Sequence, residues 1–144
     1  MATLRVMRDE AALHEHRERR WTRLIEGMEA EDSWVERGLL PVARLARADP
    51  RLGRLFPFQA LFFLCFSRSS DHPYTNDCPA IGVDRDGIYD VKATAYPIPM
   101  PDGAWPSIAA ELSDPSHAVA IASGALPPNA SVVWLGTALD EPAG

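Results

Sequence analysis

From Gln59 to Ser67 the chain reads Gln-Ala-Leu-Phe-Phe-Leu-Cys-Phe-Ser, with apolar side chains on both parities. A strand with one wet face alternates apolar and polar residues. A run of about eight residues that does not alternate reads as a strand buried on both faces. The phenylalanine content and the preceding Pro57 favour strand over a buried helical turn. A layer of protein is therefore required on each side of this segment, and the 144 residues, 47% of them hydrophobic, suffice for one such domain.

Elements to build those layers follow along the chain. Asp9 to Ala30 carries Leu13, Trp21, Leu24, Ile25 and Met28 on one stripe, which predicts an amphipathic helix whose last turn Gly27 unsettles. Glu31-Asp32-Ser33 offers caps for a second helix bearing Trp34 and Val35, ended by Gly38. Pro41 suits the start of a further helix with Val42, Leu45 and Ala46, stopped at Asp49-Pro50, and Arg51 to Leu55 reads as a short turn. Ala80–Val83 and Ile88–Ala93 are strands joined by Asp84-Arg-Asp-Gly87, a hairpin signal. In the second, Tyr89, Val91 and Ala93 alternate with Asp90 and Lys92, which gives a core face and a wet face.

Prolines at 97, 99, 101 and 106 exclude regular helix or central strand over Tyr96–Pro106, a crossing loop. Asp114-Pro115 then caps a helix with Ala118, Val119, Ile121, Ala122, Ala125 and Leu126, small enough to lie close on a sheet. Ser131–Leu135 reads as an edge strand or a docked extension, and the last residues as frayed. The expected fold is α+β: a helical segment over 1–38, a core over 39–128 with an antiparallel sheet of three or more strands and one C-terminal helix packed on it, and an extension over 129–144.

Charge and motifs exclude whole function classes. A net charge of −6 argues against binding to phosphate backbones, and the arginines at 17, 19, 20 and 23 are diluted by glutamates at 15, 18, 26 and 29. The longest apolar run, Ala60 to Phe66, is too short to cross a bilayer, and the first ten residues lack the apolar stretch of an export signal. Two cysteines without paired spacing, Cys65 and Cys78, fit reduced thiols and a cytoplasmic setting. No phosphate-binding glycine loop, dinucleotide fingerprint, zinc-spaced cysteine pair or nucleophile elbow is present, so the expectation is chemistry without a cofactor. His14 and His16 stand two apart on a helix and point to different faces, and His117 sits in the first turn of its helix; no metal site is expected.

The candidate site is the connection from Arg68 to Pro79, about twelve residues where such links usually run ~2–5. Long ordered loops carry function. Here His72 would move a proton with Asp71 fixing its tautomer and Tyr74 donating to a developing charge, while Arg68, Asp77 and Cys78 would bind substrate. The competing structural reading is plain. Asp, Asn, Ser and Pro are ordinary turn formers, Arg68 can simply pair with Asp71 or Asp77, Tyr74 can plug the core edge, and Cys78 before proline can be a small packed residue.

Asp49-Pro-Arg-Leu-Gly-Arg-Leu-Phe-Pro-Phe58, Phe66-Ser-Arg68, Pro73-Tyr74, Gly87-Ile-Tyr-Asp-Val91 and Asp114-Pro-Ser-His-Ala-Val119, taken in order, give a chain that resembles an uncharacterised family of small bacterial natural product biosynthesis proteins. The likeness spans roughly Leu39 to Pro128. It implies a setting beside secondary-metabolite genes and brings no established catalytic residue. Where the family often has an aromatic stretch after the Pro-Tyr pair, this chain has Asn76-Asp77-Cys78. The expectation is a cofactor-independent tailoring or accessory protein acting on a small-molecule or peptide intermediate, alone or with another pathway enzyme. The alternative is a non-catalytic binding module, for which Trp34, Trp105 and Trp134 are candidate anchors. A third is a homodimer pairing through an exposed sheet edge.

Overall fold

Ser33 and Asp114 each start a helix where the sequence places one. The structure, a computed structural model, describes residues 2–95 and 105–142, with side chains from Glu10 onward. Helix α1 spans Ala2–Ala30, longer than its apolar stripe, and buries Trp21, Ile25 and Met28. Helix α2 spans Trp34–Ala48, with the Ser33 side chain accepting from the Val35 N–H. It runs through Gly38 and Pro41, so the expected break into two pieces is corrected. Gly38 passes the sheet so closely that a Cβ there would lie 2.7 Å from Val83 Cγ2, and Tyr89 Oη donates to the Gly38 carbonyl at 2.7 Å. Packing against the sheet therefore outweighs the helix-breaking tendency of Gly38, and the helix continues through Pro41. A 3-10 turn at Leu52–Arg54 follows, and α3 spans Pro115–Gly124 behind its Asp114 cap.

Five strands pair in chain order as an antiparallel meander: β1 Phe56–Ala60, β2 Phe63–Ser67, β3 Ala80–Val83, β4 Tyr89–Lys92 and β5 Ser107–Leu112. The phenylalanine-rich run is thus a hairpin and not one strand. It turns at Leu61-Phe62, where Leu61 adopts φ 54. The turn was invisible because such a backbone normally selects Gly, Asn or Asp. Strand β5 was also missed: Ser-Ile-Ala-Ala-Glu-Leu is mostly exposed and its register against β4 is irregular, so no clean alternation marks it. Residues 96–104 of the expected crossing loop lie outside the described residues.

Two-sided burial of β2 is observed, with all five of its residues buried. Leu64, Phe66, Ile81, Val83, Tyr89 and Val91 meet the three helices in the main core. On the opposite face Phe58, Phe63, Cys65, Ala80 and Ala95 form a second cluster with Tyr74 and Trp105 packed against it. The segment Ser131–Leu135 joins no strand of the sheet. It docks instead on the start of the 68–79 loop, where Trp134 N–H donates to Arg68 O at 3.0 Å, Ser70 N–H to Trp134 O at 3.1 Å and Asp71 N–H to Gly136 O at 2.8 Å. Ala138–Asp140 then forms a 3-10 turn with a Thr137 capping box. Among the described residues no helix is long and apolar enough to cross a membrane.

Candidate functional site

The loop from Arg68 to Pro79 divides into a buried half and a surface half. Arg68 leaves the end of β2 with a side chain only 4% exposed, and its guanidinium is fully engaged. Nε and Nη2 donate to Asp77 Oδ2 at 2.9 and 2.6 Å, Nη1 donates to Glu141 Oε1 at 2.7 Å, and the group lies 5.0 Å from the centre of the Trp134 ring. Ser67, Ser69 and Thr75 hydrogen-bond beside it, and Arg68 N–H donates to Thr75 Oγ1 at 2.9 Å. Cys78 is buried with its thiol 3.6 Å from Asp77 Oδ1; burial first, then the Asp77 charge, pushes its pKa up. Cys65 is likewise buried and pushed up to about 12 by burial. A thiol held neutral in this way is a poor nucleophile.

The surface half holds the residues expected to move a proton. Asp71, His72 and Pro73 are exposed. Asp71 Oδ1 accepts from Ser70 Oγ at 3.1 Å, and among the described residues His72 makes no hydrogen bond or ion pair. The His72 ring stands edge-on to Tyr74 at 5.6 Å. Tyr74 stacks on Phe58 at 4.3 Å and its Oη accepts from Arg20 Nη2 at 3.1 Å. The structure thus brings Arg68, Asp77 and Cys78 together in one place and His72 and Tyr74 together in another, while Asp71 turns to Ser70.

Arg20 leads to a second region, built on the arginine-rich early helix. A cleft of about 450 Å³ runs between α1 and β1, bounded by Arg20, Arg23, Met28, Glu31, Glu36 and Phe58, with Gly27 on its helical wall. Arg20 is fixed by the carbonyls of Ser70 and Pro57 and lies 5.9 and 5.6 Å from the Phe56 and Tyr74 ring centres. Neither Arg20 nor Arg23 has a carboxylate partner among the described residues. At the other end Glu36 Oε1 accepts from Gln59 Nε2 at 3.2 Å, and Oε2 is out of reach of water with no hydrogen-bond partner. The adjacent Ser33 hydroxyl, and secondarily the Gln59 amide, hold the Glu36 carboxyl below the usual carboxylate range, so it is ionised at neutral pH. A Cβ built at Gly27 would meet nothing within 4 Å.

Comparison with known proteins locates the chain by family. A family model described as a family of unknown function, DUF6193, matches residues 15–137. The chain belongs to this family. No curated protein and no solved structure matches it. The matched stretch of the DUF6193 chain contains both the 68–79 loop and the cleft.

Elsewhere in the DUF6193 chain the histidines stay apart: His14 is exposed, His16 lies edge-on to Phe56 at 5.7 Å, and His117 is exposed in the first turn of α3. Among the described residues no three His, Cys, Asp or Glu side chains gather as a metal would require. Of the tryptophans, Trp134 is buried under Arg68, Trp34 is half-buried with Arg85 5.6 Å from its ring, and Trp105 packs on Phe63 at 4.7 Å. A signal for the cleft did exist. Arg20 has His16, Arg17, Arg23 and Leu24 at its helical neighbours and hence no acid three or four residues away, and Gly27 interrupts an otherwise strong helix.

Proposed function

We propose that the chain is a non-catalytic accessory protein of natural product biosynthesis, working without a cofactor in the reducing cytoplasm, and that its α1 cleft holds an extended peptide-like intermediate. The observation behind the site is the glycine-floored cleft with, among the described residues, two arginines that no carboxylate neutralises at one end and, at the other, an ionised Glu36 that no cation neutralises. A glycine is a weaker helix former than alanine, by up to about 1 kcal/mol in a helix interior and less in a last turn such as the one that holds Gly27. Gly27 has no positive φ and no close neighbour to require it, so the open space it leaves is its physical consequence. Arg23 and Ala30, the last residue of α1, are seven helical positions apart, roughly 10 Å at ~1.5 Å per residue, and Glu31 follows directly. That matches three to four residues of extended chain at ~3.4 Å each. The ligand would place a carboxylate at Arg20 and Arg23 and an ammonium at Glu31 and Glu36, with its middle against Met28 and Phe58.

The biosynthetic setting is supported by the resemblance drawn from the sequence, and the compartment by two free thiols. Binding without chemistry is supported by the loop, whose cation and thiol are committed to internal contacts. One observation favours proton transfer as a second reading. His72 touches Tyr74, which bonds Arg20 in the cleft wall, so the imidazole stands two contacts from the guanidinium that would hold the ligand.

Tetra-alanine with free termini, titrated and followed by backbone amide shifts, tests the proposal. Saturable shifts over residues 20–36 and 57–59 are expected, weakened by N-acetylation of the peptide. Gly27→Leu fills the cleft without a clash and improves helix propensity; it should abolish binding while the melting temperature holds or rises. Binding by that variant at the wild-type level would remove the cleft from consideration. Conversion of a bound peptide that depends on His72 would select the second reading.

A further inference from the structure

The arginines of the described chain fall into two groups. Arg19, Arg37, Arg44, Arg47 and Arg68 each face a carboxylate at 3.8 Å or less. Arg17, Arg20, Arg23, Arg51, Arg54 and Arg85 face none among the described residues, and of these Arg17, Arg51 and Arg54 stand near one another although the chain has a net charge of −6. Arg51 and Arg54 flank a recess of about 270 Å³ beyond the end of α2, closed on its other side by Leu126, Pro128 and Ser131. Arg51 is held by a 2.9 Å hydrogen bond from Nη1 to Ser123 O at the end of α3. Arg17 Nη1 donates to Arg54 O at 3.2 Å, and its Nε is buried without a partner.

The carboxylates nearest this place are engaged by other groups. Burial first, then the charge of Arg54, pulls the Arg17 pKa below its ordinary value. Glu18 offsets this in part but is itself bonded to Arg47 at 3.0 Å. Asp49 Oδ2, the carboxylate between α2 and the 3-10 turn, is spent on Arg51 N–H, Leu52 N–H and Ser123 Oγ. Like charges gathered without counterions lower their mutual energy when an anion enters.

We propose that this recess is a binding site for a phosphate monoester, its dianion held by the forks of Arg51 and Arg54 with Arg17 adding charge from behind, and its organic group against Leu126 and Pro128. A guanidinium fork matches oxyanion geometry, and a dianion answers three cations better than a carboxylate does. The space holds about nine waters at ~30 Å³ each, enough for a phosphate with a small organic group. None of these residues lines the α1 cleft, so this site stands or falls separately from the function proposed above.

The test is calorimetric titration at low ionic strength with phenyl phosphate, inorganic phosphate and benzoate. Phenyl phosphate should saturate one site, and Arg54→Glu should weaken it at least tenfold, with Arg54→Gln intermediate. Arg85→Glu makes the same charge change beside Trp34 at the far end of the 15-residue α2, roughly 22 Å away, and should bind as wild type. The Arg54 side chain is exposed, so its variants are expected to fold. Absence of saturation by either phosphate, equal affinity for benzoate, or equal losses in the Arg54 and Arg85 variants would each overturn the assignment.

Discussion

The 68–79 loop and the α1 cleft differ in what their polar groups have left over. The loop concentrates a cation, carboxylates, an imidazole, a phenol and a thiol in one stretch, yet its buried groups satisfy each other. Arg68 faces Asp77, Glu141 and Trp134, and Ser67, Ser69 and Thr75 bond among themselves. The cleft draws fewer polar residues from distant parts of the chain, and there the charges of Arg20, Arg23 and Glu36 lack ionic partners among the described residues. Polar inventory is a property of sequence, whereas residual capacity to bind is a property of the fold.

The sharpest break between the two regions is expected at Arg68. Arg68→Ala strips two carboxylates of their partner and removes the side-chain contacts to Glu141 and Trp134, leaving the C-terminal extension on its backbone hydrogen bonds. Loss of a buried ion pair typically costs ~3–5 kcal/mol. Asp77 and Glu141 are 34% and 46% exposed, which screens part of this and lowers the expectation to about 2–3 kcal/mol in a urea titration. Arg68→Lys should recover little, since one ammonium cannot supply the fork. An unchanged midpoint would mean that the loop does not clasp the extension, and its groups would again be free for a site.

Arg20→Ala should cost less, about 1 kcal/mol, because it removes hydrogen bonds to carbonyls and a hydroxyl without stranding a carboxylate. The same substitution should reduce peptide binding at least tenfold. A loss of stability equal to that of Arg68→Ala would erase the distinction between a clasp and a binding group.

Why the loop was visible and the cleft was not follows from the kind of information each needs. Asp114-Pro115 and Ser33 announce helix starts because a cap involves neighbours in sequence, and Tyr89 to Lys92 announces a strand by alternation. The turn at Leu61-Phe62 had no turn residue, β5 had no alternation, and α2 passed a proline and a glycine, the glycine held by contacts to Val83 and Tyr89. Likewise Arg68 and Asp77 lie nine residues apart and a pairing was foreseeable, but Glu141 and Trp134 reach them from 73 and 66 residues downstream. The cleft joins Arg20 and Gly27 to Glu36 and Phe58, and no local pattern shows that α1 lies along β1.

Acid should act on the cleft before neutral pH matters. Glu36 is held below its ordinary range in the folded protein, so the stability it contributes is present above the unfolded carboxylate range and is lost as pH falls through its folded value. Peptide affinity should fall along the same limb, as the cleft loses the charge that faces the ammonium. In Glu36→Gln the affinity is lower at neutral pH and the acid limb shrinks to the part set by the peptide's own carboxylate, which loses its charge in the same range. A limb that is undiminished in Glu36→Gln would show that Glu36 does not set it, with Glu31 the next to test.

The smallest effect is expected where the loop is most reactive on paper. His72 is exposed and makes no hydrogen bond or ion pair among the described residues, so His72→Ala should change stability by less than ~0.5 kcal/mol. Binding to the cleft should be as unaffected, because the imidazole meets only the edge of Tyr74, whose ring stays stacked on Phe58 and whose hydroxyl stays bonded to Arg20. A His72→Ala protein that folds and binds normally while a pathway product disappears is the one result that would return chemistry to the loop, and it would make the cleft the place where that chemistry's substrate waits.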